Sequence, residues 1–130
     1  MATLITGNLL SLNEQSAETD GTGWIDDTNC ATAQSTTKAY EDTHSIAMTA
    51  TGSGDMACRV NNDLTVSGST SYTLSACVIA GSTGRSTHVY ITWFDSGWSF
   101  ISMDTGGDVT NNSSTWVQPY LTATDRKSVV

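Results

Sequence analysis

The sequence predicts an all-β domain: an antiparallel β-sandwich, specifically a jelly roll of about eight strands, over residues 1–130. Three observations predict it. Thr and Ser make up 39 of the 130 residues while Pro occurs once, and Thr favours strands where Ser favours turns. Several segments alternate apolar and polar residues with a period of two, the strand signature. Gly-rich turns separate these segments, and no segment carries a convincing helical period.

In chain order, Leu9 and Leu10 are too apolar for an exposed leader and are read, with Asn8, as the end of a first strand. Leu4 and Ile5 support that reading. The acidic stretch from Asn13 to Gly23 is then a surface loop, and Trp24 re-enters the core. A short helical turn is expected near Thr36–Thr43. Further on, Ile46, Met48 and Ala50 alternate, then Met56, Cys58 and Val60, then Tyr72, Leu74, Ala76 and Val78. In the stretch 86–95, Val89, Ile91 and Trp93 point one way and His88, Tyr90, Thr92 and Phe94 the other. In 115–124, Val117, Pro119, Leu121 and Ala123 alternate with Trp116, Gln118, Tyr120 and Thr122. Turns are read at 51–55, 66–71, 80–86, 95–99 and 104–114. Pro119 lacks an N–H, so its strand is expected at a sheet edge or to carry a bulge.

The net charge of −8 argues against nucleic acid, because phosphate binding needs a basic stripe. It argues equally against anionic membranes. No apolar run reaches the ~20 residues of a transmembrane helix, and no secretory signal pattern is read at the N-terminus. Cys30, Cys58 and Cys77 are odd in number and lack C-x-x-C spacing. They are read as reduced, small core residues of a protein made in a cytoplasm. No nucleophile elbow, H-E-x-x-H or phosphate loop is present, and His44 and His88 are far apart. The chain is therefore read as a non-enzyme.

One ordered series of segments carries a resemblance: NLL, ETDGTGW, NCATAQST, HSIAMTATGSGDM, YTLSACVIAG, VYITWFDSGWSFIS and STWVQPYLTAT, from about Asn8 to Thr124. It resembles the carbohydrate-binding-module-like jelly-roll domains of bacteriophage structural proteins, common in minor tail proteins of phages of actinobacteria. The resemblance implies an antiparallel jelly roll on the surface of a virion, as a capsid decoration or tail-associated protein, made in the bacterial cytoplasm. The alternative it implies is a dedicated carbohydrate-binding module for host surface glycans. Partners would be capsid or tail subunits and host cell-wall polysaccharide. After the TAT strand the chain runs into DRKSVV, where such domains add one more strand. Either Ser128–Val130 is a stub of that strand or a neighbouring subunit completes the sheet, so a homo-oligomer or docking on another virion protein near 119–130 is expected.

Sugar recognition needs aromatic faces for pyranose rings and planar polar side chains for hydroxyls. Tyr90, Tyr120, His88 and Gln118 meet this if their two strands are neighbours. Trp98, in the turn DSGWSF, is the remaining candidate contact residue, since an exposed indole on a loop marks a partner. Trp24, Trp93 and Trp116 are read as core or core-edge residues. No cofactor is expected beyond a structural calcium, which related jelly rolls hold near their first loop. Glu18 and Asp20 are its first-choice ligands, with Glu14, Asp26 and Asp27 nearby.

Overall fold

A chain this rich in Thr and Ser, with short apolar alternations, satisfies its backbone by pairing strands, and that is what the computed structural model shows over residues 8–61 and 63–125. All ladders are antiparallel. The chain divides into two units, residues 1–64 and 65–130.

The first unit holds a helix, α1 (Leu12–Ser16), and four strands: β1 (Trp24–Thr28), β2 (Cys30–Ser35), β3 (Ser45–Ala50) and β4 (Ala57–Val60). β1 pairs with β4 and β2 with β3. Two expectations are corrected here. Asn8–Leu10 is not strand, and the stretch read as a loop opens with α1. The cause is local: the Ser11 hydroxyl accepts the Glu14 N–H, and the Glu14 carboxylate accepts the Ser11 N–H at 2.7 Å. This reciprocal box satisfies two otherwise orphaned donors and starts a helix where apolarity alone suggested a strand. Ala17 ends it in the left-handed conformation. Residues 36–43, expected to make a helical turn, form bends instead. There Glu18 gathers the N–H groups of Thr43 and His44, so these donors are satisfied by a side chain rather than by a helix. Leu4 and Ile5 lie outside the described residues.

Trp24 is half-buried, a core-edge position, and its indole N–H donates to the Glu14 carbonyl at 2.7 Å. Gly23 lies against the same residue: a Cβ there would stand 3.0–3.3 Å from three Glu14 atoms. The helix and the start of β1 are thus clasped together.

The second unit holds β5 (Ser71–Ser75), β6 (Ser86–Thr87), β7 (Tyr90–Phe94), β8 (Phe100–Thr105), β9 (Val109–Thr110) and β10 (Tyr120–Thr124). β10 pairs with β5, β6 with β9, and β7 with β8. Along 117–123 the expected alternation holds: Val117 and Leu121 are half-buried and Pro119 and Ala123 buried, while Gln118, Tyr120 and Thr122 are exposed. Trp93 is 4% exposed, and its ring lies 6.4 Å from that of Tyr72, so β7 and β5 touch through their apolar faces. The buried indole N–H of Trp93 donates to Asp104 at 2.7 Å, as a buried donor requires.

Pro119 introduces no bulge. Ser75 pairs with Tyr120 and Val78 bridges Val117, so the register runs unbroken across the proline. Ala76 donates to the Pro119 carbonyl, and the proline has no N–H to return. The ladder therefore lapses for two residues and resumes. The C-terminal stub Ser128–Val130 lies outside the described residues. No helix among the described residues is long and apolar enough to cross a membrane.

Candidate functional site

The second unit carries an open groove of about 380 Å³, lined by residues 105–109 and 118–122. One wall comes from the end of β8 and the loop to β9, the other from the start of β10. What brings them together is Gly106. A Cβ at this position would stand 2.7 Å from the Tyr120 carbonyl oxygen and 3.3 Å from that of Val89. Only glycine permits that approach, and the Gly106 N–H uses it to donate to Val89 at 2.8 Å.

Gln118 and Tyr120 line this groove, and Tyr120 is 68% exposed. Beside them, β5 and β10 present a row of hydroxyls bonded across the ladder: Ser71 to Thr124 and Thr73 to Thr122, each at 2.8 Å. Such cross-strand pairs stabilise the ladder.

His88 reaches the site through Asp108, which lines the groove. Its Nδ1 lies 2.8 Å from Asp108 Oδ1. The short β6–β9 ladder sets this pair: Thr87 is opposite Val109, and Asn111 ties the ladder's end by accepting the Arg85 N–H and donating to the Thr87 hydroxyl. Asp108 and Gly106 were not singled out in the sequence. The T-G-G-D run was visible as a turn, but nothing local marks which strand it would meet.

Tyr90 and Tyr120 are not placed on adjacent strands. Tyr90 pairs with Thr105 on β8, while Tyr120 pairs with Ser75 on β5. The condition on which their shared platform rested is therefore not met by the ladder. The groove instead gathers Gln118 and Tyr120 directly, and His88 through Asp108. Tyr90 is half-buried.

Trp98 belongs to a different surface. It sits at the tip of the β7–β8 hairpin, 58% exposed, with its ring 6.1 Å from that of Phe94.

The acidic residues considered for calcium are engaged within the chain. Glu18 accepts from the N–H groups of Thr43 and His44 and from the Thr43 hydroxyl, and lies 2.9 Å from His44 Nδ1. These bonds, the one with the His44 side chain foremost, pull its carboxyl down to about 2. Asp20 accepts from the hydroxyl and N–H of Thr22 and from the Asn13 amide, which lowers its pKa too, the Thr22 hydroxyl contributing most. Among the described residues, no three His, Cys, Asp or Glu side chains gather to hold a metal.

The cysteines form no disulfide. Cys30 is buried and its thiol donates to the Ala57 carbonyl. Burial pushes the Cys58 thiol up to about 12, and its sulfur lies 3.3 Å from that of Met48.

Comparison with protein-family models, with curated proteins and with solved structures finds no match. The functional reading therefore rests on this geometry and on the segment resemblance.

Proposed function

We propose that the chain is a bacteriophage virion structural and display protein, a capsid decoration or tail-associated jelly roll, non-catalytic, which adheres through open surfaces. The observation that carries the reading is the combination at the groove: an exposed tyrosine, a glutamine amide and an aspartate–histidine pair beside a row of cross-bonded hydroxyls. An open groove of this kind, with a few polar groups on a mostly apolar lining, suits weak, reversible attachment, since it buries little ligand area. Many copies on one particle would offset the weakness through avidity. The antiparallel ladders joined by Gly-rich turns are consistent with the jelly roll implied by the resembling segments. The virion surface is the location this assigns, with homo-oligomers or neighbouring virion subunits as structural partners.

The test is composition. Peptides of this chain should be recovered in many copies from gradient-purified particles of the phage that encodes it. Recovery only in the soluble fraction of the lysed host would refute the display role.

The groove also favours a second reading, a dedicated carbohydrate-binding module for host-wall polysaccharide. Tyr120 would stack on a sugar ring while Gln118 and Asp108 bond hydroxyls. Retention on host-wall polysaccharide that survives Tyr120→Ala unchanged would remove it.

A further inference from the structure

The first unit brings the sulfurs of Cys30, Met48 and Cys58 together from β2, β3 and β4. Cys30 stands opposite Ala50, and Thr32 opposite Met48. Residues opposite each other in an antiparallel pair share a face, as do residues two apart on one strand. Cys30 and Met48 are therefore diagonal neighbours on one face of the β2–β3 ladder, a separation that a long side chain such as methionine spans. The Cys58 sulfur lies 3.3 Å from the Met48 sulfur. The Cys30 thiol reaches β4 too, donating at 2.7 Å to the carbonyl of Ala57, the residue before Cys58. Burial raises the Cys58 thiol most and Cys30 comes next among the causes, so the two thiols lie within electrostatic range of each other.

The strands that carry these sulfurs are fastened to one another. Asp26, opposite Cys58 on β1, accepts the N–H and the hydroxyl of Thr32 at 2.6 and 2.7 Å. Thr32 is the residue opposite Met48. A closed circuit thus runs from Cys58 through Asp26, Thr32 and Met48 back to Cys58. Asn29, left-handed between β1 and β2, donates its amide to the carbonyls of Ser53 and Asp55, both at 3.2 Å, and so holds the loop from β3 to β4. Side chains set on fastened strands hold a geometry better than side chains on loops.

The donor set selects the ligand. Calcium and magnesium take oxygen ligands. Structural zinc takes four ligands from thiolates, imidazoles and carboxylates. Two cysteines supply half of that, and among the described residues no further His, Cys, Asp or Glu joins them in a metal-sized cluster. What joins them is a thioether, a soft donor that with thiolates favours copper(I). Met48 is 38% exposed, which opens the sulfurs to ions from solvent. Asp26 and Asp27 are close enough to act on Cys58, so the surroundings favour a cation.

We propose that Cys30, Cys58 and Met48 form a binding site for a soft monovalent cation of the copper(I) class, held by two thiolates and one thioether. On binding, the two S–H groups release their protons to solvent and two metal–sulfur bonds take their place. The thioether adds a lone pair, no electron is transferred, and the site passes from neutral to a single negative charge. The site stands independently of the display reading.

The probe is copper(I), presented without oxygen to the reduced full chain as its coloured bicinchoninate complex, whose fading reports transfer to the protein. The chain should withdraw one ion, and X-ray absorption should show coordination by three sulfurs. The thermal midpoint should rise, since a ligand of the folded state stabilises it. Loss of even a supporting group costs about 10–100-fold in metal affinity, so Met48→Leu, which conserves volume, should weaken binding at least as much, and Cys58→Ser should too. Cys77→Ser, in the second unit, should bind as the parent does. Failure to withdraw the metal, or unchanged affinity in Met48→Leu, would overturn the proposal. A lowered midpoint would place the metal on thiols of the unfolded chain, and an equal loss in Cys77→Ser would make the binding unspecific; either overturns it. Coordination by fewer than three sulfurs in the parent chain would overturn it without recourse to any variant. Displacement of the copper by equimolar zinc(II) would overturn the assignment to a soft monovalent ion.

Discussion

The indole N–H of Trp24 donates to the backbone carbonyl of Glu14 at 2.7 Å, joining the start of β1 to a helix ten residues earlier. Glu14 is itself buried and holds the Ser11 N–H. One residue thus serves as helix cap with its side chain and as tryptophan anchor with its backbone. Trp24→Phe keeps a ring but deletes the donor to that carbonyl. It should cost about 1–2 kcal/mol in denaturant unfolding. Ser11→Ala removes the cap and should cost about 1 kcal/mol. No measurable effect of either would mean that the clasp does not contribute to folding.

Glu18 gives the acid dependence. Its folded carboxyl titrates at about 2 against an ordinary 4.5, chiefly because of its bond with the His44 side chain. A depressed carboxyl stabilises the fold above its unfolded pKa and loses that contribution as pH falls toward the folded value. Stability should therefore decline between about pH 4.5 and pH 2. Glu18→Gln should flatten that part of the profile, read from thermal midpoints at successive pH values. An identical profile in the variant would show that the Glu18 bonds do not couple to folding.

The cysteines predict a reactivity order. With burial holding Cys58 at about 12, its thiolate is scarce at neutral pH, and the thiolate is the reacting form. Native protein should alkylate slowly at Cys58, and unfolding without reductant should release all three thiols. Recovery of a single thiol would show a disulfide and an oxidising folding environment.

Gly106→Ala tests the groove. The added Cβ would stand 2.7 Å from the Tyr120 oxygen, which is backbone and cannot swing away. Overpacking of this kind costs about 1–3 kcal/mol, and the groove walls should part. Gly107→Ala next door meets nothing within 4 Å and should be mild. Equal effects on thermal midpoint at the two positions would contradict the close approach of β8 and β10.

The alternation along 117–123 was legible because large apolar and polar residues alternate cleanly there, and its inward and outward sets stand where the period places them. Trp93 was legible for the same reason. The β2 segment CATAQS was not read as a strand, because Cys, Ala and Thr differ too little in hydrophobicity to show a period. β8 was missed because Phe100, Ile101 and Met103 break the alternation at a bulge opposite Trp93 and Phe94. The helix at 12–16 could have been read: Ser11 followed by Glu14 is a capping-box pattern, and Leu9–Leu10 outweighed it. At the groove, Gln118 and Tyr120 were legible from their strand. Asp108 and Gly106 were not, because their roles depend on pairings of β6 with β9 and on the approach of β8 to β10, which no local pattern encodes.

The most direct test of the display role is electron microscopy of intact phage particles labelled with gold-conjugated antibody against this chain. The account predicts label on the outer surface of the capsid or tail, in many copies, on unbroken particles. Label absent from particles, or gained only after they are broken open, would contradict it.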